Sequence, residues 1–399
     1  MKKALFILVL ALFCPAINAV EVDDLLALPD NPRKGVWTQC IKVNAPLILS
    51  DITSATLLSF NAKKMEKAVV RCGKSILTPA GIKLDKEGNG HVELNPKKLP
   101  AGPINIQIIA ANSHGECDVF ELQLWNAAKK TAKTDVGMPK RKPKAAKGMT
   151  LDFYDDFDAP LSISKDGRNA RWNAHKPTFG DFSGWPFSDP TNTPEGPFAQ
   201  RDGYLIIQAR KPEGTRGSTG LIAPVDMQGN GYKAKPPFYM ECRFMAHSAP
   251  GTWPAFWTIT NIYRGPGDEL DVIEAYGGWG DKAANNTGYY TTTHYWEQKD
   301  KQGKQIPHDD KLIEKKGDDT SWSQEFHTYG VLVTEDSTTY YRDDIPVHSL
   351  PTNAMSYNNS HVFLINYAIG GASGWHIDLE RYGNRSNMYV DYVRVFTKK

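Results

Sequence analysis

Apolar and polar residues alternate at every second position in short runs along most of this chain. Thr56-Leu57-Leu58-Ser59-Phe60, Ala68–Cys72, His91–Leu94, Ile104–Ile109 and Val119–Trp125 carry the pattern in the first third. Turn clusters such as Asp85–Gly90 and Pro100–Pro103 separate them. Side chains of a strand point to alternate faces, so this period predicts β-strands. The pattern resumes after residue 150 in Gly203–Ala209, Phe238–Phe244, Tyr329–Thr334, His361–Asn366 and Met388–Phe396. No long stretch carries a 3.6-residue apolar period. The chain is therefore expected to be all-β, with a smaller and a larger strand-rich unit.

The intervening segment sets the boundaries. Residues 127–148 hold eight lysines and arginines against the single acid Asp135. Such a Lys/Ala/Pro stretch has no core and reads as a basic, extended linker. Residues 20–126 then form an accessory sandwich, whose closing hairpin around Asn112–Glu116 looks immunoglobulin-like. Residues 149–399 form one large sandwich. Lys2 and Lys3 precede the apolar run Ala4–Phe13 and a small-residue site ending at Ala19. Residues 1–19 thus read as a signal peptide, which implies a secreted, periplasmic or cell-surface protein. With the signal removed, no apolar run is long enough for a membrane span.

The formal net charge is +2, but the linker supplies the excess and the remaining mature chain is net negative. Nucleic acid is therefore not an expected partner. The mature chain keeps Cys40, Cys72, Cys117 and Cys242. One disulfide among the first three fits an oxidising compartment, and the sequence does not choose the pair. The chain is expected to act as a monomer.

The chemistry concentrates in Gly267-Asp268-Glu269-Leu270-Asp271-Val272-Ile273-Glu274. On a strand, Glu269 and Asp271 share one face while Leu270 and Val272 enter the core. Strict alternation would bury Glu274 as well, at a large desolvation cost. A β-bulge around Val272-Ile273 returns Glu274 to the face of the other two acids. The glutamate backbones then lie roughly 13 Å apart. Side chains leaning together leave about 5 Å between carboxyl groups, the separation used by retaining glycosidases. Asp271 between them helps hold their pKa values apart. A solvated acidic face and a calcium site are the other readings of three acids in six residues.

These residues resemble glycoside hydrolase family 16. Glu269–Glu274 is similar to its bulged Glu-x-Asp-x-x-Glu signature, and Trp253-Pro254-Ala255-Phe256-Trp257 to its neighbouring tryptophan strand. Asp202–Leu205, Tyr239–Arg243, Phe326–Gly330 and Asp391–Val395 are further markers in the same order. The resemblance implies a concanavalin-like β-jelly roll with Glu269 as nucleophile, Glu274 as acid/base and Asp271 as helper. It implies that Trp253 and Trp257 face sugars and that His294 lies near the nucleophile. It also implies a structural calcium held partly by Asp391, with no cofactor in the reaction.

Sugar C–H bonds stack on aromatic faces, and Tyr276, Trp279, Tyr295 and Trp296 cluster in sequence near the acids. Tyr276 and Trp296 are accordingly expected at the substrate. Asp155-Asp156 and Asp309-Asp310 read as surface turns. The expected activity is endo-acting retaining hydrolysis of a polysaccharide, a β-1,3- or β-1,3/1,4-glucan first and a β-galactan second. A non-catalytic carbohydrate-binding protein on the same fold is the competing class.

Overall fold

The computed structural model describes residues 20–30, 35–44, 47–130, 141–177, 180–262, 265–279, 288–317, 319–371 and 376–398. The signal segment 1–19 and linker residues 131–140 lie outside the described residues.

Four main sheets, arranged as two pairs, account for most of the chain. In the N-terminal unit, a seven-stranded sheet is built around Gly102–Ala111 and Glu116–Asn126. A three-stranded sheet of Ile41–Val43, Thr56–Ala62 and Asn89–Leu94 packs on it. Leu58, Phe60 and Leu94 of one sheet meet Ile106, Ile108, Leu122 and Leu124 of the other in an apolar core. Cys40, Cys72, Cys117 and Cys242 are free thiols, so the expected disulfide among the first three is absent from the described residues of this unit.

The large domain is a jelly roll of an eight-stranded and a six-stranded sheet. The six-stranded sheet runs Gly220–Ile222, Val362–Ile369, Thr252–Ile259, Gly267–Glu274, Tyr289–Trp296, Asp309–Ile313. Its inner face contributes Phe256, Leu270, Ile273, Phe363 and Ile365 to a core shared with Phe238, Met240, Phe244 and Val331 of the other sheet. Every second residue is thereby left for the opposite face, where the acids lie.

The two units are joined by more than a linker. The hairpin 102–126 is buried on both sides. Leu122 and Leu124 turn into their own sandwich, while Val119, Glu121, Gln123 and Trp125 turn towards the large domain. Gln123 and Asn387 exchange two hydrogen bonds, at 2.8 and 3.1 Å. Both oxygens of Asp118 accept from Nη1 of Arg381, at 3.0 and 2.9 Å. Phe120 meets Tyr382 with ring centroids 4.6 Å apart. Arg201 forms a two-pronged pair with Asp51 at 2.7 and 2.8 Å, with its guanidinium 4.2 Å from the Trp125 ring centre.

The described ends of the linker are also pinned. Lys129 Nζ donates to the Leu99 carbonyl at 2.7 Å, and the Lys144 amide to Asp344 at 2.9 Å. These bonds tie the two described ends to the folded units, while Lys129, Lys130, Arg141, Lys142, Lys144 and Lys147 are exposed.

Candidate active site

The carboxylate strand Gly267–Glu274 carries the irregularity its sequence requires. Asp271 faces Thr292 on one neighbouring strand and Glu274 faces Tyr290, so three residues advance against two. On the other neighbour, Trp257 faces Asp271 and Phe256 faces Ile273, skipping Val272. Leu270, Val272 and Ile273 are all buried in the core. The extra residue lets both apolar side chains at the bulge turn inward while Glu274 returns to the side of Glu269.

Glu269, Asp271 and Glu274 line one cleft of about 540 Å³. Each glutamate has its own aromatic donors. Trp296 donates its indole N–H to Glu269 Oε2 at 3.1 Å. Trp253 donates to Glu274 Oε1 at 3.2 Å, and the Tyr276 hydroxyl to the same oxygen at 3.3 Å. The Trp253 and Tyr276 rings stack with centroids 5.8 Å apart. Desolvation raises both glutamates above the ordinary carboxylate range. For Glu274 the charge of Glu269 adds to the rise. For Glu269 the charge of Lys176 opposes it. Asp271 is also raised, by burial and by the charges of Glu274 and Glu269 on either side.

His294 Nε2 lies 3.4 Å from Asp271 Oδ2, and its ring stacks on Trp296 at 4.8 Å. Burial and neighbouring His308 lower its pKa to about 4, so it is a neutral imidazole in the cleft. Trp257 lines the cleft but is only 5% exposed, and its indole N–H is held by Asn366 Oδ1 at 2.7 Å. It serves as a packed wall more than as an open platform. Trp296, at 50% exposure, is the open one.

Several cleft residues escape sequence reasoning. Lys176 places Nζ 5.3 Å from the Trp257 ring centre and 5.8 Å from that of Phe182. Tyr290, His308 and Asp310 complete the lining. Asp309-Asp310 is therefore not a surface turn but the start of the edge strand Asp309–Ile313, with Asp310 at the cleft. Asp155 is likewise on a strand, where its Oδ2 accepts from Arg171 and Trp172, both at 2.9 Å. Of the four aromatics that cluster in sequence near the acids, Tyr295 and Trp279 lie elsewhere. Tyr295 follows the strand alternation to the side opposite His294 and Trp296. Trp279 is buried against the N-terminal unit, among Val69, Ile109 and Val119.

Asp391 is buried on the strand Arg385–Thr397 and pairs with Arg243 at 2.5 Å. A guanidinium already faces this carboxylate, and Asp391 is in no cluster of three ligating side chains among the described residues. A calcium ion here would have to draw most of its six to eight oxygens from the backbone. The one such cluster is Glu269, Asp271 and His294, with ligand atoms within 4.8 Å of one another, and it belongs to the cleft itself.

With this geometry in view, the chain is similar to several known proteins. Residues 237–393 match the model of the family "Glycosyl hydrolases family 16". Endo-1,3-1,4-beta-glycanase EglC of Rhizobium meliloti is 28% identical over 279 residues, covering 62% of this chain and 52% of that protein. Endo-1,3-1,4-beta-glycanase ExsH of the same organism is 29% identical over 159 residues, covering 40% and 30%. The chain thus spans about half or less of the curated relatives it matches. A solved endo-beta-1,3-glucanase from Pyrococcus furiosus aligns with TM-score 0.47 and 18% identity, over 62% of this chain and 94% of that one. The laminarinase catalytic domain from Thermotoga petrophila aligns with TM-score 0.49 and 19% identity, over 63% and 98%. Residues 237–393, which contain the carboxylate strand and the tryptophan and histidine strands beside it, are thus the part of the chain that is similar to glycosyl hydrolases family 16.

Proposed function

We propose that this protein is a secreted, endo-acting, retaining β-glycoside hydrolase whose substrate is a β-1,3- or β-1,3/1,4-glucan. One observation carries the reading: a single bulge puts Glu269 and Glu274 on one face of one cleft, each with its own indole donor. The linkage assignment leans on the names of the two curated relatives, both endo-1,3-1,4-beta-glycanases.

The two glutamates differ in what surrounds them. Lys176 favours the ionised form of Glu269, which suits a nucleophile. Burial and the charge of Glu269 favour the protonated form of Glu274, which suits an acid. In the first step a Glu269 oxygen bonds to the anomeric carbon. The bond to the leaving sugar breaks, and the Glu274 proton passes to the leaving oxygen. In the second step Glu274 takes a proton from water, whose oxygen attacks the same carbon and releases Glu269. Asp271 and neutral His294 line the cleft beside the nucleophile and supply polar groups there. Stacking on Trp253, Tyr276 and Trp296 would orient the sugars.

The test is a polysaccharide panel with mass analysis of the products and NMR of the first-formed anomer. Release of β-glucan oligosaccharides with retained configuration, abolished in Glu269→Gln, is the expected result. Inverted product, or full activity of Glu269→Gln, overturns the mechanism. Oligosaccharides from a galactan alone would replace the substrate, and binding without product on every glycan would replace the enzyme reading.

A further inference from the structure

We propose that the N-terminal unit is a working part of the active site, because its sheet holds the loop Ala275–Trp279 that keeps the Tyr276 hydroxyl on Glu274. The inference rests on Glu274 being the acid/base.

The loop leaves the carboxylate strand directly after Glu274; the Ala275 and Gly277 amides bond to the Pro254 and Thr252 carbonyls of the large domain at 3.1 and 2.8 Å, and two further grips reach the N-terminal unit. The first is Trp279, which is 8% exposed although it belongs to a loop. Its ring sits in a socket made by Val69, Ile109, Ala111, Cys117 and Val119, all from the N-terminal unit. The second is a chain of hydrogen bonds. The Gly278 amide donates to Ser248 Oγ at 3.0 Å, and the Ser248 amide donates to Glu121 Oε1 at 2.9 Å. Glu121 is fully buried at the unit boundary. It also accepts from Gln107 at 2.7 Å and Ser323 at 2.8 Å, so its carboxylate is a fixed anchor. Just before these grips the backbone runs close against the large domain. A Cβ on Gly277 would come within 1.9 Å of Thr252 Oγ1 and 2.6 Å of the Ala249 carbonyl.

One of the five loop residues, Trp279, thus packs on the other folding unit and a second, Gly278, is tied to it through Ser248, with Tyr276 between them and Glu274. A sugar-binding role for the N-terminal unit has less support. Among the described residues, its large exposed apolar side chains are Val36, Leu57 and Ile76, with no aromatic ring to stack on a sugar. The unit instead spends its buried polar side chains, Asn105, Gln107, Glu121 and Gln123, on the large domain.

Trp279 is therefore a positioning residue. Its loss should act through the Tyr276 hydrogen bond, which stabilises ionised Glu274. The ionisable groups around Glu274 are Glu269 and Asp271 on its own strand, Tyr276 on the loop and Tyr290 opposite. Lys176, His294, His308 and Asp310 lie elsewhere in the cleft. Trp279 touches none of these, so a merely structural role would leave the pH profile in place.

The experiment is a double-mutant cycle in the full chain with Trp279→Ala and Tyr276→Phe, reading kcat/KM against pH. Each single variant should lose about tenfold in kcat/KM and move the alkaline limb to higher pH. The double variant should be no worse than the weaker single, and Trp279→Phe should restore most of the activity. A folded Trp279→Ala with unchanged rate and limb overturns the proposal, as do losses that multiply. If Trp279→Ala does not fold, Val119→Ala shallows the same socket from the other side and is scored by the same criteria. An inactive wild type, or an active Glu274→Gln, would instead remove the reading beneath the proposal.

Discussion

Trp253 donates its indole N–H to Glu274 Oε1 at 3.2 Å, so the residue expected to stack on sugar also bears on the charge state of the proposed acid. A donor favours the carboxylate form, and this bond pulls down a pKa that burial raises. Trp253→Phe keeps a ring and removes the donor. The pKa of Glu274 should rise, and the alkaline limb of kcat/KM should move to higher pH. A limb that stays in place would mean Glu274 is not the group titrating there.

Lys176 should govern the opposite limb. Its charge favours ionised Glu269 and Asp271, whereas Glu274 is raised by burial and by Glu269. In Lys176→Met the pKa of Glu269 should rise, so the acid limb shifts to higher pH and the active range narrows from below. Salt should mimic the variant only weakly, because the pair lies within the cleft. An unchanged acid limb in a folded variant would exclude Lys176 from tuning the nucleophile.

The acid strand was open to sequence reasoning because its problem is local. Alternation would bury Glu274, and only an added residue avoids that, so Val272-Ile273 announces its own bulge. The strands of both units are legible for the same reason. The boundary between the units is not. Asn105, Gln107, Glu121 and Gln123 alternate with apolar residues as a water-facing strand side does, yet all four are buried against the large domain. A period of two reports which face is polar and cannot tell water from a polar partner brought by distant chain. Lys176 and Asp310 were missed on similar grounds. Each enters the cleft from a separate segment, and neither has a neighbour in sequence that marks it.

Glu241 and Arg394 form a buried ion pair on adjacent strands of the eight-stranded sheet, and Tyr239 donates to the second Glu241 oxygen at 2.7 Å. Removing one partner leaves the other charge in the core without compensation. Arg394→Met should lower stability by about 3–5 kcal/mol, read from urea unfolding at neutral pH. A loss under about 1 kcal/mol would mean that the pair is solvated or that Glu241 is already neutral.

His361 is fully buried, with Nε2 bonded to the Ser356 carbonyl at 2.8 Å and Nδ1 to Thr258 Oγ1 at 2.9 Å. Burial lowers its pKa to about 4 from the ordinary 6.5. Between these values the unfolded chain takes up a proton that the folded one refuses, so this stabilising contribution is full above pH 6.5 and fades as pH falls towards 4. The stability gap between wild type and His361→Gln should accordingly narrow in that window, by up to about 1.4 kcal/mol per pH unit. Denaturant midpoints at several pH values test this, and a constant gap would show that the imidazole titrates normally.

The extra residue in the carboxylate strand makes that segment sensitive to length more than to composition. Exchanging Val272 or Ile273 for another apolar residue leaves the parity between the first and last acid intact. Deleting either one inverts it, and every side chain beyond the cut then changes sides. A shortened strand could keep its sheet and all three carboxylates and still have no paired acids, so an insertion–deletion scan through 270–274 should be far less forgiving than a substitution scan of the same positions.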